Sequence, residues 1–499
     1  MMKLLGIRVC EHDSNFSYFD GKNLRYFKSE RLNGIKHHAY NDLYIWRDVI
    51  KDKFGDNPDT IDEIAIVLDP WLYKNKPWDR KNENFFPSID YPHINANCPV
   101  YRVDHHYAHA LSVYDDFDVH MVFDGFGDKE ISWSIIKNDK IIERGDFSKH
   151  GSLGAELGGA ARLFDIKAVH TADLAGKLMG LQSYGTFNKE FYKTLSYDIY
   201  QVIDLYNIKN WEYFKGDYKV SCLTALDWIK TIHEKSGEIL LETFKKYCNK
   251  SDKICFTGGV AQNVIWNTKL KDYFNNLHVP PHTPDEGLSL GAIEFLRKKN
   301  KLSRFKLDNF PYSQLDESPN ENPTKETINK AANLLSQGKI IGWYQGHGEV
   351  GPRALGNRSI LMDPRIKNGK KLINKIKKRE NYRPFGASIL HDKAKIIFKN
   401  YYDNPYMTYV SDISKEYDSI RHIDGSCRYQ SVYNGIFYDL INKFYDLTDC
   451  PIVLNTSLNI NGEPIAGSIR QAKELFNRSN FDCLFYGNEI MEKQNANKN

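Results

Sequence analysis

The chain has 499 residues, of which 41% are hydrophobic and 26% charged, an ordinary soluble globular composition at a length that calls for two or three domains. A net charge of +4 is short of the surplus a dedicated nucleic-acid binder carries, though it leaves a nucleic-acid substrate open, and no run approaches the roughly 18 apolar residues of a transmembrane helix. Eight cysteines (Cys10, Cys98, Cys222, Cys248, Cys255, Cys427, Cys450, Cys483) contain no CxxC pair, which argues against a zinc ribbon or disulfide framework and predicts a cytoplasmic protein.

In chain order, short apolar runs alternate with helical periodicity, the α/β signature. The opening MMKLLGIRVCEHDS reaches charged residues too soon for a signal peptide, and LLGIRV (4–9) reads as a first strand. HDSNFSYFDG (12–21) follows as a strand–turn–strand hairpin whose small polar residues can present N–H groups to a phosphate. EIAIVL (63–68) is a second strand, and WLYKNKPWDRKNENFFPSIDYPH (71–93) is an aromatic-rich segment, either a surface insertion or a face on which a ring could stack. DHHYAHA (104–110) reads as a helix with His105 and His109 one turn apart on one face, where two imidazoles can chelate a metal or serve as core histidines. VHMVFDG (119–125) is a strand whose end aims Asp124 out of the sheet edge, where ligands bind in α/β folds.

Further on, SGEILLETFKKYC (236–248) is helical, and KICFTGG (253–259) is a strand ending in Gly258–Gly259 before a helix that carries Asn263. Paired glycines let a backbone approach a phosphate at a helix N-terminus; the alternative is a tight turn. PPHTPDEGLSLGA (280–292) puts Asp285 in a turn before the helix 287–300. Two imidazoles and two carboxylates would suit a divalent iron or zinc ion. The polar stretch with three prolines near 303–325 is the linker candidate. After it come a helix (324–339), a strand (340–346), and GHGEVGPRALGNRSILMDPR (346–365), whose four glycines and three arginines a solvated surface explains poorly. A lysine-rich helix (367–380), NYRPFGAS (381–388), HIDGSCRYQS (422–431) and IVLNTSLNINGEPI (452–465) follow. Guanidinium groups spread over several segments can close around one phosphoanhydride.

These stretches, with SERLNGIKH (29–37) and GKLMGLQSYG (176–185), resemble the NodU/CmcH/TobZ-type O-carbamoyltransferases in the family's order along nearly the whole chain, and GPRALGNRSIL is close to diagnostic. The resemblance implies an actin-like (ASKHA, threonylcarbamoyl-transferase-like) domain at 1–305, a linker at 306–325 and a YrdC-like α/β domain at 326–499. It further implies that the second domain joins carbamoyl phosphate to ATP as carbamoyl-adenylate, releasing pyrophosphate, and that the first transfers the carbamoyl group to an acceptor hydroxyl of a sugar, an antibiotic or a hydroxymethylated nucleotide or DNA base. Carried over by position, His105, His109, Asp124 and Asp285 match the metal site, with His106 adjacent. The ion implied is Fe2+, with Zn2+, Mn2+ or Mg2+ as alternatives. His12 matches a histidine near the carbamoyl carbon and is the candidate base. Gly258, Gly259 and Asn263 match nucleotide contacts. Arg353, Arg383, Arg428, Asn455 and Ser457 match carbamoyl-phosphate and adenylate contacts, with Lys378 beside them. His347 stands where the family carries arginine, and LQSYG, FGAS and the bulky HDSNFSYF also depart from its pattern. Expected partners are ATP, carbamoyl phosphate and the acceptor, with no membrane, and a homodimer is compatible. The competing expectations are an N-carbamoyl transferase acting on tRNA threonylcarbamoyl-adenosine chemistry, and a non-catalytic nucleotide-binding actin-like protein.

Overall fold

A computed structural model describes residues 2–68, 85–87, 94–163, 166–195 and 224–493. The aromatic stretch 71–93 lies outside them, apart from the backbone of a short strand at 85–87. The chain forms two compact units, Met1–Ser29 with His37–Asp308, and Glu30–Lys36 with Asn309–Asn499.

The first unit contains two sheets with the same order of pairings. In one, β1 (Leu4–Arg8), β2 (Asn15–Phe19) and β3 (Leu24–Lys28) form an antiparallel meander, and β4 (Glu63–Val67) and β6 (Val100–Val103) extend it parallel to β1, with β5 (Phe85–Pro87) antiparallel at the edge. In the other, β7 (Val119–Phe123), β8 (Ile131–Lys137) and β9 (Lys140–Asp146) form the meander, and β10 (Ile254–Thr257) and β11 (Leu277–His278) extend it parallel to β7. This repeated arrangement is the actin-like architecture. β1 and β4 are buried at every position, which explains their near-continuous apolar text: both faces of a central parallel pair are covered. The helix Leu288–Lys299 is wedged in by a bare backbone, since a Cβ on Gly291 would stand 1.9 Å from the carbonyl oxygen of Ala108. That close crossing brings the turn before Leu288 to the helix His105–Leu111.

The second unit is one eight-stranded mixed sheet. Its strands are β12 (Ile341–Tyr344), β13 (Arg358–Met362), β14 (Gly386–Leu390), β15 (Val410–Asp412), β16 (Ser426–Val432), β17 (Ile452–Ser457), β18 (Cys483–Tyr486) and β19 (Glu489–Glu492), in the order β15-β16-β14-β17-β13-β12-β18-β19. Helices Lys325–Ser336 and Gly435–Thr448 pack on each other and bury Ile328, Leu335, Leu440 and Phe444 in its core. The helix Ile469–Arg478 starts with a reciprocal cap between Ser468 and Gln471. From Asn309 onward the polar stretch read as linker is part of this unit. Within it Asp316 is buried and pairs at 3.0 Å with the buried guanidinium of Arg358. Glu30–Lys36 also belongs here: Arg31 Nη2 donates to the carbonyls of Glu349 at 3.2 Å and Gly351 at 2.9 Å.

Candidate metal and anion sites

In the first unit β6 runs directly into the helix His105–Leu111, whose first turn is capped by Asp104, with Oδ1 accepting from the Tyr107 N–H at 2.9 Å. Asp128 fixes the helix start, accepting the His105 N–H at 3.2 Å while paired with Arg102 at 2.8 Å. With that frame set, the i, i+4 spacing places the His105 and His109 rings 5.0 Å apart. Asp124 follows β7, and its Oδ2 lies 2.9 Å from His109 Nε2 and 3.5 Å from His105 Nε2. Asp285 approaches from the other side, with Oδ1 at 3.4 Å from His105 Nε2 and 3.6 Å from His109 Nε2. One donor atom from each of the four lies within 4.8 Å of all the others.

The donor set fits a divalent cation. His105 Nε2 is buried without a hydrogen-bond partner, although it faces two carboxylate oxygens. Burial opposes ionisation of Asp285, but His105, His12 and Arg8 hold its carboxyl well below the usual range. Two imidazole nitrogens and two carboxylate oxygens are the ligands of iron, zinc or manganese. His106 turns away: its Nδ1 is 2.8 Å from Ser134 Oγ, and burial together with His105 keeps its pKa well below the usual value.

His12 sits on the β1–β2 turn, in which Cys10, Glu11 and Asp13 adopt positive φ of 66°, 58° and 56°. Three non-glycine residues in this conformation are costly and mark a turn held by its surroundings. His12 Nδ1 lies 2.9 Å from Asp13 Oδ2, and its Nε2 lies 3.9 Å from Asp285 Oδ2, which places it beside the cage. Burial disfavours its charged form, yet Asp285 and Asp13 outweigh that and raise its pKa. Two further histidines join it. His37 Nδ1 contacts the same Asp13 oxygen at 2.9 Å, and its Nε2 is 3.6 Å from Asp173. His170 stacks on His37 at 4.4 Å and stands edge-on to His12 at 5.5 Å. The His170 Nδ1 accepts the Ala172 N–H at 3.2 Å, so its neutral ring carries the proton on Nε2. His37 lies within a recognisable motif that assigns it no role; His170 lies in no motif, and only the fold brings it in.

Gly258 has φ 90°, and a Cβ there would stand 2.1 Å from the Phe123 carbonyl oxygen, so β7 and β10 themselves require this glycine. A Cβ on Gly259 would reach 2.9 Å from Asp124 Oδ1. Asn263 caps the following helix, accepting from the Trp266 N–H at 3.2 Å, and its Nδ2 is 2.9 Å from His233 Nε2. These three residues thus meet structural needs beside Asp124.

In the second unit the sheet register carries the site. Arg428, Gly386 and Asn455 are directly opposite one another on β16, β14 and β17, so their side-chain positions share one face. Gly386 leaves the middle of that row bare. Arg428 Nε is buried without a hydrogen-bond partner, as is Asn455 Oδ1. Burial, Arg353 and Arg383 push the Arg428 guanidinium well below its ordinary pKa, and Arg379 is depressed by burial, Arg383 and Arg428. These cations therefore crowd one place, and Glu380, whose Oε2 is 3.7 Å from Arg383, is the nearby acid. Asn455 Nδ2 donates to Ser388 Oγ at 2.9 Å and the Ala354 carbonyl at 3.3 Å, tying β17 to the loop that carries Arg353.

Two adjacent lysines differ here. Lys378 is exposed with a positive φ of 49°, because the chain turns out of the helix Gly369–Ile376 there. Its neighbour Lys377 is the buried ammonium, 3.1 Å from Ser457 Oγ and 2.5 Å from both the Ser457 carbonyl and Asn459 Oδ1. Burial, Arg379 and Arg383 lower its pKa well below that of a free lysine. Two other residues of the glycine-rich loop are struts: Glu349 Oε1 accepts from the N–H groups of Leu355, Asn357 and Arg358 at 2.7, 2.9 and 3.2 Å, and Arg358 lies 3.6 Å over the Tyr344 ring. His347 Nδ1 is 3.6 Å from Asp316 Oδ1, which raises its pKa.

Comparison with known proteins follows the same division. A family described as carbamoyltransferase N-terminus matches residues 88–293, and one described as carbamoyltransferase C-terminus matches residues 332–493. The chain is 30% identical to nodulation protein NolO of Bradyrhizobium diazoefficiens, over 79% of each chain. It is 26% identical to an uncharacterized protein of Methanocaldococcus jannaschii over 99% of this chain and 100% of the other. It is 29% identical to a 3'-hydroxymethylcephem-O-carbamoyltransferase of Amycolatopsis lactamdurans over 58% of this chain and 59% of that enzyme.

Proposed function

The chain belongs to the carbamoyltransferase family, and we propose that it is an ATP-dependent O-carbamoyltransferase that makes carbamoyl-adenylate in its second unit and discharges it in its first. The observation that carries the activation step is Arg428, a half-buried arginine crowded by Arg353 and Arg383, whose buried Nε is unpartnered. Such a cluster attracts an anion, and a phosphoanhydride supplies the charge. Atom balance sets the reaction: carbamoyl phosphate, ATP and water give carbamoyl-adenylate, pyrophosphate and orthophosphate; water takes the phosphoryl group as orthophosphate, and the carbamate oxygen so freed bonds to the α-phosphorus as pyrophosphate leaves. Arg353, Arg383 and Arg428 bind and orient the phosphates, and their fixed charge favours the more anionic transition state. Lys377 holds Ser457 and the end of β17 in place.

In the first unit His105, His109, Asp124 and Asp285 would hold a divalent cation, Fe2+ fitting the mixed nitrogen–oxygen set, with Zn2+ and Mn2+ as alternatives. When bound, that ion supplies positive charge against the adenylate phosphate. Gly258, Gly259 and Asn263 lie at the turn facing Asp124, where a nucleotide phosphate would approach. His12, beside the cage, is the base that takes the proton of the acceptor hydroxyl as AMP leaves. The acceptor is a hydroxyl of a small polar molecule such as a sugar, an antibiotic or a hydroxymethylated nucleotide; the relatives' cephem substrate is one member of that chemical class.

The test incubates the protein with ATP, carbamoyl phosphate and a panel of hydroxylated acceptors and looks by mass spectrometry for the gain of one carbamoyl group. Pyrophosphate release that proceeds equally without carbamoyl phosphate would overturn the scheme.

A further inference from the structure

We propose that Arg8 is a positioning residue of the metal cage, restricting Asp285 to a single ligating oxygen. Arg8 is the last residue of β1 and is fully buried. Its Nη2 lies 2.9 Å from Asp285 Oδ2 and 2.5 Å from Glu11 Oε2. The two oxygens of Asp285 are thus divided: Oδ2 is engaged by Arg8, and Oδ1 faces His105 and His109. The opposite residue in the hairpin completes the grip. Asn15, paired with Arg8 across β1 and β2, donates from Nδ2 to the Asp285 carbonyl at 2.9 Å and accepts the Ser289 N–H at 3.0 Å. One cross-strand pair therefore holds both the backbone and the carboxylate of Asp285.

Asp124 is divided in the same way, by a different device. Its Oδ1 accepts the Gly125 N–H at 2.6 Å, and its Oδ2 faces the histidines. Each carboxylate keeps one oxygen for the cage. The cage then offers two nitrogens and two single oxygens, which leaves coordination positions open for substrate and disfavours large cations that need bidentate carboxylates. A guanidinium so close to a cation site opposes that cation by its charge, so it is tolerable there only for the geometry it imposes. Nothing in the motif text marks this role; Arg8 sits in an apolar strand.

The inference rests on the reading of the four residues as a metal site, and binding measurements separate the two. Mn2+ binding to the full chain is measured by calorimetry, and Co2+ by visible absorption, for wild type, Arg8→Met, Arg8→Lys and Glu11→Gln. The expected result is one Mn2+ per wild-type chain and binding weaker by about 10–100-fold in Arg8→Met, the usual loss on removing a partner of a ligand. Arg8→Lys recovers part of the affinity, and Glu11→Gln, which leaves the Asp285 contact in place, binds as wild type does. The Co2+ bands of Arg8→Met weaken as Asp285 turns both oxygens to the ion and the coordination number rises. If Arg8→Met does not fold, Arg8→Lys carries the test through its smaller loss and altered Co2+ bands. Arg8 variants that bind Mn2+ as tightly as wild type with an unchanged Co2+ spectrum would overturn the inference alone. A wild-type chain that binds neither ion would overturn the metal site and the inference with it.

Discussion

Asp13 serves two imidazoles with one oxygen: its Oδ2 lies 2.9 Å from Nδ1 of His12 and 2.9 Å from Nδ1 of His37. Lys28, 3.0 Å from the other oxygen, keeps that carboxylate ionised against complete burial. Burial alone would discharge His37, but its bonds to Asp13 and Asp173 push its pKa up to about 10 from an ordinary 6.5. Because the folded value exceeds the unfolded one, this group's stabilisation is complete below 6.5 and is lost as pH rises toward about 10. The urea midpoint of wild type should fall across that window, and His37→Gln should flatten the fall. An identical slope in the variant would remove Asp13–His37 as its source.

Activation and transfer should come apart at the cage. His109→Gln, or chelation of the wild type, is expected to reduce carbamoyl transfer at least about a hundredfold, since a cation at a developing phosphate charge contributes several kcal/mol. Pyrophosphate release dependent on carbamoyl phosphate should continue, read with a coupled pyrophosphatase assay. A parallel fall of both steps would mean that the cage supports adenylate formation too.

Arg428 should trade stability for chemistry. Arg428→Met removes a half-buried cation that is opposed by burial, Arg353 and Arg383. The melting temperature of its unit should rise by roughly 2–4 °C, the effect of about 1 kcal/mol in a domain of roughly 150–250 residues. Carbamoyl-phosphate-dependent pyrophosphate release should drop about 10²–10³-fold. Added pyrophosphate should raise the melting temperature of wild type more than that of the variant, and a destabilised variant would contradict the crowding argument.

Gly386 tests the row of side chains from the opposite direction. A Cβ there meets the Met407 sulfur at 3.1 Å and Arg428 Nε at 3.3 Å, both on side chains that can yield. Gly386→Ala should therefore fold, with a change of no more than about 1 kcal/mol. It should still raise the KM for carbamoyl phosphate or ATP, because the methyl occupies the bare middle of the row between Arg428 and Asn455. Unchanged KM values for both would place the ligand elsewhere.

The parts of this site that are readable in the sequence are those set by local periodicity. His105 and His109 face together because four residues make one helical turn, and Asp124 is placed by the end of β7. Asp285 comes into the cage only because a bare backbone at Gly291 lets two helices cross, a tertiary fact no spacing encodes. Which of Lys377 and Lys378 is buried is hidden for a similar reason: adjacent lysines at a helix end look alike, and the turn of the chain at residue 378 decides it. Arg8 is hidden by its apolar neighbours, and Arg358 shows the converse, an arginine in the most distinctive loop that is engaged with Gln345, Gly346, Asp316 and Glu317 as a strut. The alternation of strands and helices announces α/β throughout, but the twofold repetition of the meander in the first unit appears only in the order of pairings.

The stretch Glu30–Lys36, interposed between two parts of the first unit, has a bearing on how this polypeptide could ever be divided. Its Arg31 shores up the carbonyls of Glu349 and Gly351, so a fragment beginning after Asp308 is born without its own brace. Gene fission at that junction would yield a C-terminal product with a loosened arginine-bearing loop. Selection against such a product would keep the two units inherited as one reading frame.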